Sequence, residues 1–62
     1  MMYPILVHDY SKAIEMAMNE SVINESLIYL IRSNSGAYII DIIGEIFSDE
    51  KLVMTIFRGE AQ

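Results

Sequence analysis

Residues 27–58, LIYLIRSNSGAYIIDIIGEIFSDEKLVMTIFR, decide the fold. β-branched, aromatic and large aliphatic side chains fill three runs, 27–32, 37–47 and 52–58, which is the composition of strands packed against an apolar layer. The runs are separated by Ser33-Asn34-Ser35-Gly36 and Ser48-Asp49-Glu50-Lys51, both of turn composition. The spacing predicts a three-stranded antiparallel meander. The competing reading continues a helix through 22–32, because an unbroken apolar run carries no period of its own.

Register sharpens the expectation, since a one-residue slip would send every side chain of a strand to the other face. Setting Arg32 opposite Ala37 and Phe47 opposite Leu52 gives one face made of Leu27, Tyr29, Ile31, Tyr38, Ile40, Ile42, Ile46, Val53 and Phe57. Gly44 and Thr55 are its only interruptions, and this face is expected to be the core. The other face then holds Ile28, Leu30, Ile39, Ile43, Phe47, Leu52, Met54 and Ile56, together with Arg32, Asp41, Glu45 and Arg58. The same register sets Asp41 across from Arg58, an opposite-charge pair of the kind that supports a sheet by roughly 0.2–1 kcal/mol.

Upstream, residues 2–7 read as a short extended segment, which Pro4 confines to an edge strand or a strand start because it lacks a backbone donor. Asp9, or alternatively Ser11, stands where a helix N-cap belongs. Beyond it, at 100° per residue, Tyr10, Ala13, Ile14, Ala17 and Met18 share one face and Lys12, Glu15 and Asn19 the other. Ser21, Asn24 and Glu25 would fall inside the apolar stripe, so the helix is expected to stop near Glu20 or Ser21. The fold class is therefore α+β: one amphipathic helix packed on a three-stranded antiparallel meander, with a short N-terminal edge strand, all in a single domain spanning 1–62.

A chain of 62 residues buries only about 60% of its unfolded surface, so a monomer is marginal. The sequence has no cysteine and one histidine, His8, which leaves neither disulfides nor a conventional zinc ligand set to support it. Oligomerisation is the remaining support. The apolar share is 53%, with isoleucine at eleven positions, too apolar for disorder. Its longest apolar runs are nonetheless far short of the ~20 residues of a membrane span. Residues 1–7 have no basic stretch or cleavage site of a secretory signal, so a cytoplasmic location and no membrane partner are expected. Nine acidic residues face four scattered basic ones, Lys12, Arg32, Lys51 and Arg58, the wrong sign for direct contact with nucleic-acid phosphates.

One helix covers one face of a sheet, which leaves the second apolar face in need of a partner. The expected homodimer interface is Ile28, Leu30, Ile39, Asp41, Ile43, Glu45, Phe47, Met54, Ile56 and Arg58. An acidic rim of Asp9, Glu15, Glu20, Glu25, Asp49 and Glu50 is left for a basic surface on another protein. The rest of the chemistry is sparse. His8 reads as a surface or capping residue, the serines lie in no Gly-x-Ser-x-Gly elbow, and the Asn-Glu-Ser sequences at Asn19 and Asn24 read as accidental sequons. Asp41 and Glu45 could pair as acid and base, yet a chain this short has little room for a pocket of the usual ~300–1,000 Å³. No catalytic residue, metal or cofactor is expected. The chain reads as a small acidic non-enzymatic module, a homodimer that inhibits or adapts a larger protein, in the manner of phage or mobile-element anti-defence proteins acting on a host enzyme. A pure self-assembly module and an acidic nucleic-acid mimic are the alternatives.

Overall fold

A computed structural model describes residues 2–62, so Met1 lies outside the described residues. The chain runs β1 (Ile5–Val7), α1 (Tyr10–Ile23), β2 (Ile28–Arg32), β3 (Tyr38–Asp41), β4 (Lys51–Phe57) and β5 (Glu60–Ala61). The α+β class stands: α1 packs on one antiparallel sheet of order β1-β3-β2-β4-β5. β1 is the N-terminal edge strand and starts directly after Pro4. Residues 28–32 are strand, not a continuation of the helix. The hairpin β2–β3 is the consecutive pairing of the meander, and the third apolar run returns to the far side of β2 to pair there as β4. A two-residue turn of Arg58 (φ 51°) and Gly59 (φ 78°) then adds β5, both residues in the left-handed region that such tight hairpins require.

The hairpin turn corrects the expected register. The amide of Gly36 donates to the Ser33 carbonyl at 3.1 Å, and the Ser33 amide donates to the Ala37 carbonyl at 2.8 Å. With Gly36 at φ 92° this is a turn closed by a glycine bulge, and it adds one residue to the loop. Arg32 accordingly faces Tyr38 instead of Ala37, and Leu30 faces Ile40. The slip leaves Tyr38 and Ile40 on the helix side as expected and inverts β2. Ile28 and Leu30 go into the core, and Tyr29 and Ile31 go to the opposite face.

Beneath the helix, Ala13, Ala17, Ile28, Leu30, Ile40 and Ile56 form the core, with Tyr3, Ile5, Val7, Tyr38, Val53 and Met54 packed around it. Val53 and Met54 both reach this core because β4 bulges where Leu30 faces Met54 and the next residue, Ile31, faces Leu52. The two alanines let the helix approach the sheet closely. Asp9 caps it, its carboxylate accepting from the Ser11 amide at 3.0 Å. The helix runs past the expected stop to Ile23 because the polar residues in its stripe are satisfied. Buried Ser21 donates to the Met18 carbonyl at 2.7 Å and accepts from the Gly59 amide at 2.8 Å. Glu20, 6% exposed, accepts from the Tyr3 hydroxyl and from the Asn24 side chain. Among the described residues every buried side-chain nitrogen or oxygen has a hydrogen-bond partner.

Two crossovers organise the sheet. β1 and β2 are both antiparallel to β3, hence parallel to each other, and α1 joins them across β3. β3 and β4 are both antiparallel to β2, and residues 42–50 join them across β2. Both steps go the same way along the sheet between strands of opposite direction. Two crossovers of one hand must then lie on opposite faces, and the preference for right-handed crossovers acts on both. The helix covers one face, and residues 42–50 form a strap over the other. The second of the expected apolar segments therefore splits: β3 stops at Asp41, whose carboxylate takes the Ile42 amide at 2.8 Å, and the rest leaves the ladder.

Candidate interaction surface

The strap is fixed at its middle and at its end. A Cβ on Gly44 would lie 2.7 Å from the Cε1 and Cζ atoms of Tyr29, so backbone runs close against the ring, which would have to shift to admit any side chain there. At the far end, the Phe47 amide donates to a Glu50 carboxylate oxygen at 3.1 Å and the Glu50 amide donates to the Phe47 carbonyl at 3.0 Å. Ile31 is 1% exposed although it lies on the face away from the helix, the face over which the strap crosses. The face opposite the helix is thus half covered by the chain's own residues.

The strap exposes four large apolar side chains alongside Glu45, Ser48 and Asp49. Ile42, Ile43, Ile46 and Phe47 are 46, 60, 38 and 60% exposed, and at the strap's two sides Leu6 and Leu52 are 65 and 45% exposed. Leu6 faces Ile39, Ile39 faces Ile31 and Ile31 faces Leu52, so one cross-strand row runs beneath the strap and emerges on either side of it. Taking about 200 Å² for a large apolar side chain, the exposed parts of these six residues amount to about 600 Å². The largest apolar patch on an ordinary monomer is about 300–600 Å².

The residues expected at a dimer interface do not share one surface. Ile43, Glu45 and Phe47 are exposed on the strap, and Ile39 is half-buried in the row beneath it. Ile28, Leu30 and Ile56 are fully buried under the helix, and Met54 packs against them. The one-residue slip took Ile28 and Leu30 off the surface, and β4, paired with β2 and not with β3 as expected from Phe47 opposite Leu52, carried Met54 and Ile56 in with them. Asp41 faces Tyr29 and not Arg58. Arg58 lies in the β4–β5 turn with its guanidinium 5.2 Å from the centre of the Phe57 ring. Leu6, Ile42 and Ile46 belong to the patch although the sequence reading placed none of them there.

The acidic rim is likewise not one surface. Asp9 caps the helix, Glu15 is exposed along it, and Glu25 is exposed just past its end at φ 52°. Asp49 is exposed and Glu50 half-buried at the strap's end, far along the chain from these. Glu20 is internal, held by Tyr3 and Asn24. Burial pushes the Tyr3 phenol up to about 12, with its bond to Glu20 and that carboxylate's charge adding to the effect, the Asn24 bond opposing it and Asp41 adding a little. Among the described residues no three His, Asp or Glu side chains converge as a metal site would require, and no helix is long and apolar enough to cross a membrane. No protein-family model, curated protein or solved structure matches this chain.

Proposed function

We propose that this chain is a non-enzymatic protein-binding module that pairs with a second copy of itself through the strap face. The observation that carries the reading is the exposed apolar set Leu6, Ile42, Ile43, Ile46, Phe47 and Leu52. Two such patches of about 600 Å² would bury about 1,200 Å², the lower limit of specific interfaces. A nearly all-aliphatic patch has the composition of homodimer contacts, whereas contacts between unlike partners are about as polar as ordinary surface. A twofold axis needs only one self-complementary patch. Pairing through sheet edges is disfavoured, because the edge strands have three and two residues and Pro4 and Glu60 flank or occupy them.

The total surface of 4209 Å² is close to the ~4,100 Å² of a compact monomer of this mass. The protomer is therefore as compact as a folded chain of its mass, so the proposed association would join folded chains. Light scattering over a tenfold concentration range tests this: a mass near twice 7.1 kDa that falls to one chain in Ile43→Asp supports it, and a monomer throughout overturns it. Binding of a larger protein by the acidic surface, as an inhibitor or adaptor of the phage type, rests on size and charge. A lysate pull-down returning no stoichiometric partner counts against that extension.

A further inference from the structure

At the hairpin end of the sheet Arg32 and Lys51 are directly opposite each other on β2 and β4. Like charges so placed repel, and these are two of only four cations in a chain of net charge −5. They line a cleft of about 240 Å³ together with Ser33, Asn34, Gly36 and Asp49. Ser33 already donates to the Ala37 carbonyl at 2.9 Å and shares its oxygen with Ser35. The donors left to face a ligand are the Arg32 guanidinium, the Lys51 ammonium and the Asn34 amide. Glu50, beside Lys51 in sequence, is turned to the Phe47 amide. Counting Asp49, the cleft carries one net positive charge on an otherwise acidic protein.

We infer that this cleft binds a single small oxyanion, a carboxylate or phosphate group. Its volume is below the ~300–1,000 Å³ of sites for larger ligands, which limits the occupant to one such group. A guanidinium offers two parallel donors to a planar carboxylate or to two phosphate oxygens, and Lys51 adds a point charge beside it. The anion would offset the Arg32–Lys51 repulsion. Asp49 opposes it, which weakens a dianion more than a monoanion. No member of the apolar patch lines the cleft, so the inference is independent of self-pairing and holds equally in Ile43→Asp.

Amide-resolved NMR titration of the full chain at matched ionic strength tests it, with two probes: inorganic phosphate, and a capped peptide carrying one glutamate. Saturable shifts confined to residues 33–36 and 49–51 support the site. Response to phosphate alone marks a free anion as the ligand, and response to the peptide alone marks a protein-borne carboxylate. Arg32→Gln and Lys51→Gln, checked for folding by the same spectra, should weaken binding at least tenfold, and Asp49→Asn should tighten it severalfold. Absence of saturable shifts with both probes overturns the inference. So does a loss of thermal stability in chloride shared by Arg32→Gln and Asp49→Asn, which would identify an ion network closed within the chain.

Discussion

Ile43→Asp separates pairing through the strap from general stickiness. Ile43 is 60% exposed, so about 120 Å² of it is available for burial, and a twofold interface counts that residue twice. At about 25 cal/mol per Å² the two copies contribute up to about 6 kcal/mol. Association recovers only part of such area terms. If half is realised, about 3 kcal/mol, the dissociation constant rises about 100-fold, with a further cost for desolvating two carboxylates. The residue is on the surface, so monomer stability should change by less than about 0.5 kcal/mol. Ile23→Asp is the matched control: Ile23 is 72% exposed, more than Ile43, but sits at the end of the helix. Sedimentation equilibrium on the wild type and both variants reads the constants, and urea unfolding reads the protomer. An Ile43→Asp constant within threefold of wild type refutes the strap interface, and so does a larger effect from Ile23→Asp.

Three further outcomes follow from the fold. Gly44→Ala should lower stability by about 1–3 kcal/mol, because the added carbon would sit 2.7 Å from the Tyr29 ring; urea denaturation should show a lower midpoint with an unchanged slope. Glu25→Gly should raise stability by about 0.5–1 kcal/mol, because glycine takes the φ of 52° found here without strain, read by the same assay. Tyr3 ionises at about 12 in the folded chain against 10.0 unfolded, and a raised folded value means that its stabilisation is complete below pH 10 and is lost as pH climbs through 12. Part of the phenol is in water, so the loss is about 1–2 kcal/mol, and Tyr3→Phe should flatten the alkaline limb of the thermal midpoint against pH.

Most elements were legible in the sequence: the cap at Asp9, the alternation of the helix faces, the first and third main strands and the turn between β2 and β3; the second strand was expected to run to Phe47 and pair with the third, whereas it ends at Asp41 and β4 pairs with β2. Strand facing was not legible, and the reason is local. Whether Arg32 meets Ala37 or Tyr38 depends on whether the loop closes as the four residues 33–36 or takes in Ala37 as a fifth, and the bulge at Gly36, φ 92°, is what adds it. The signal was present, since glycine at the end of a Ser-Asn-Ser turn is what a bulged hairpin uses. The helix end failed for a different reason. Ser21 and Asn24 look like intruders in an apolar stripe until their partners, Gly59 and Tyr3, are brought from the two ends of the chain, and no local pattern carries that information.

The apolar surplus was robust to both errors, because it follows from size and composition and not from register. A domain of 62 residues with eleven isoleucines has too little interior for them, since so short a chain buries only about 60% of its unfolded surface. Inverting β2 exchanged Ile28 and Leu30 for Tyr29 and Ile31 on the open face and left the amount of apolar surface there nearly the same. The chain then crosses this face with its own strap, yet the strap brings large apolar side chains of its own, so Ile42, Ile43, Ile46 and Phe47 take the exposed positions. Gly44 is the residue that makes the exchange possible. A glycine interrupting a strand-like run signals a close approach of backbone to another group, here the Tyr29 ring, and that approach turns a fourth length of sheet into a displayed apolar ridge. Any rearrangement of this sequence with one helix would leave a similar ridge somewhere; the bulge at Gly36 and the contact at Gly44 place it on the strap, where a second copy of the chain can meet it without unfolding either protomer.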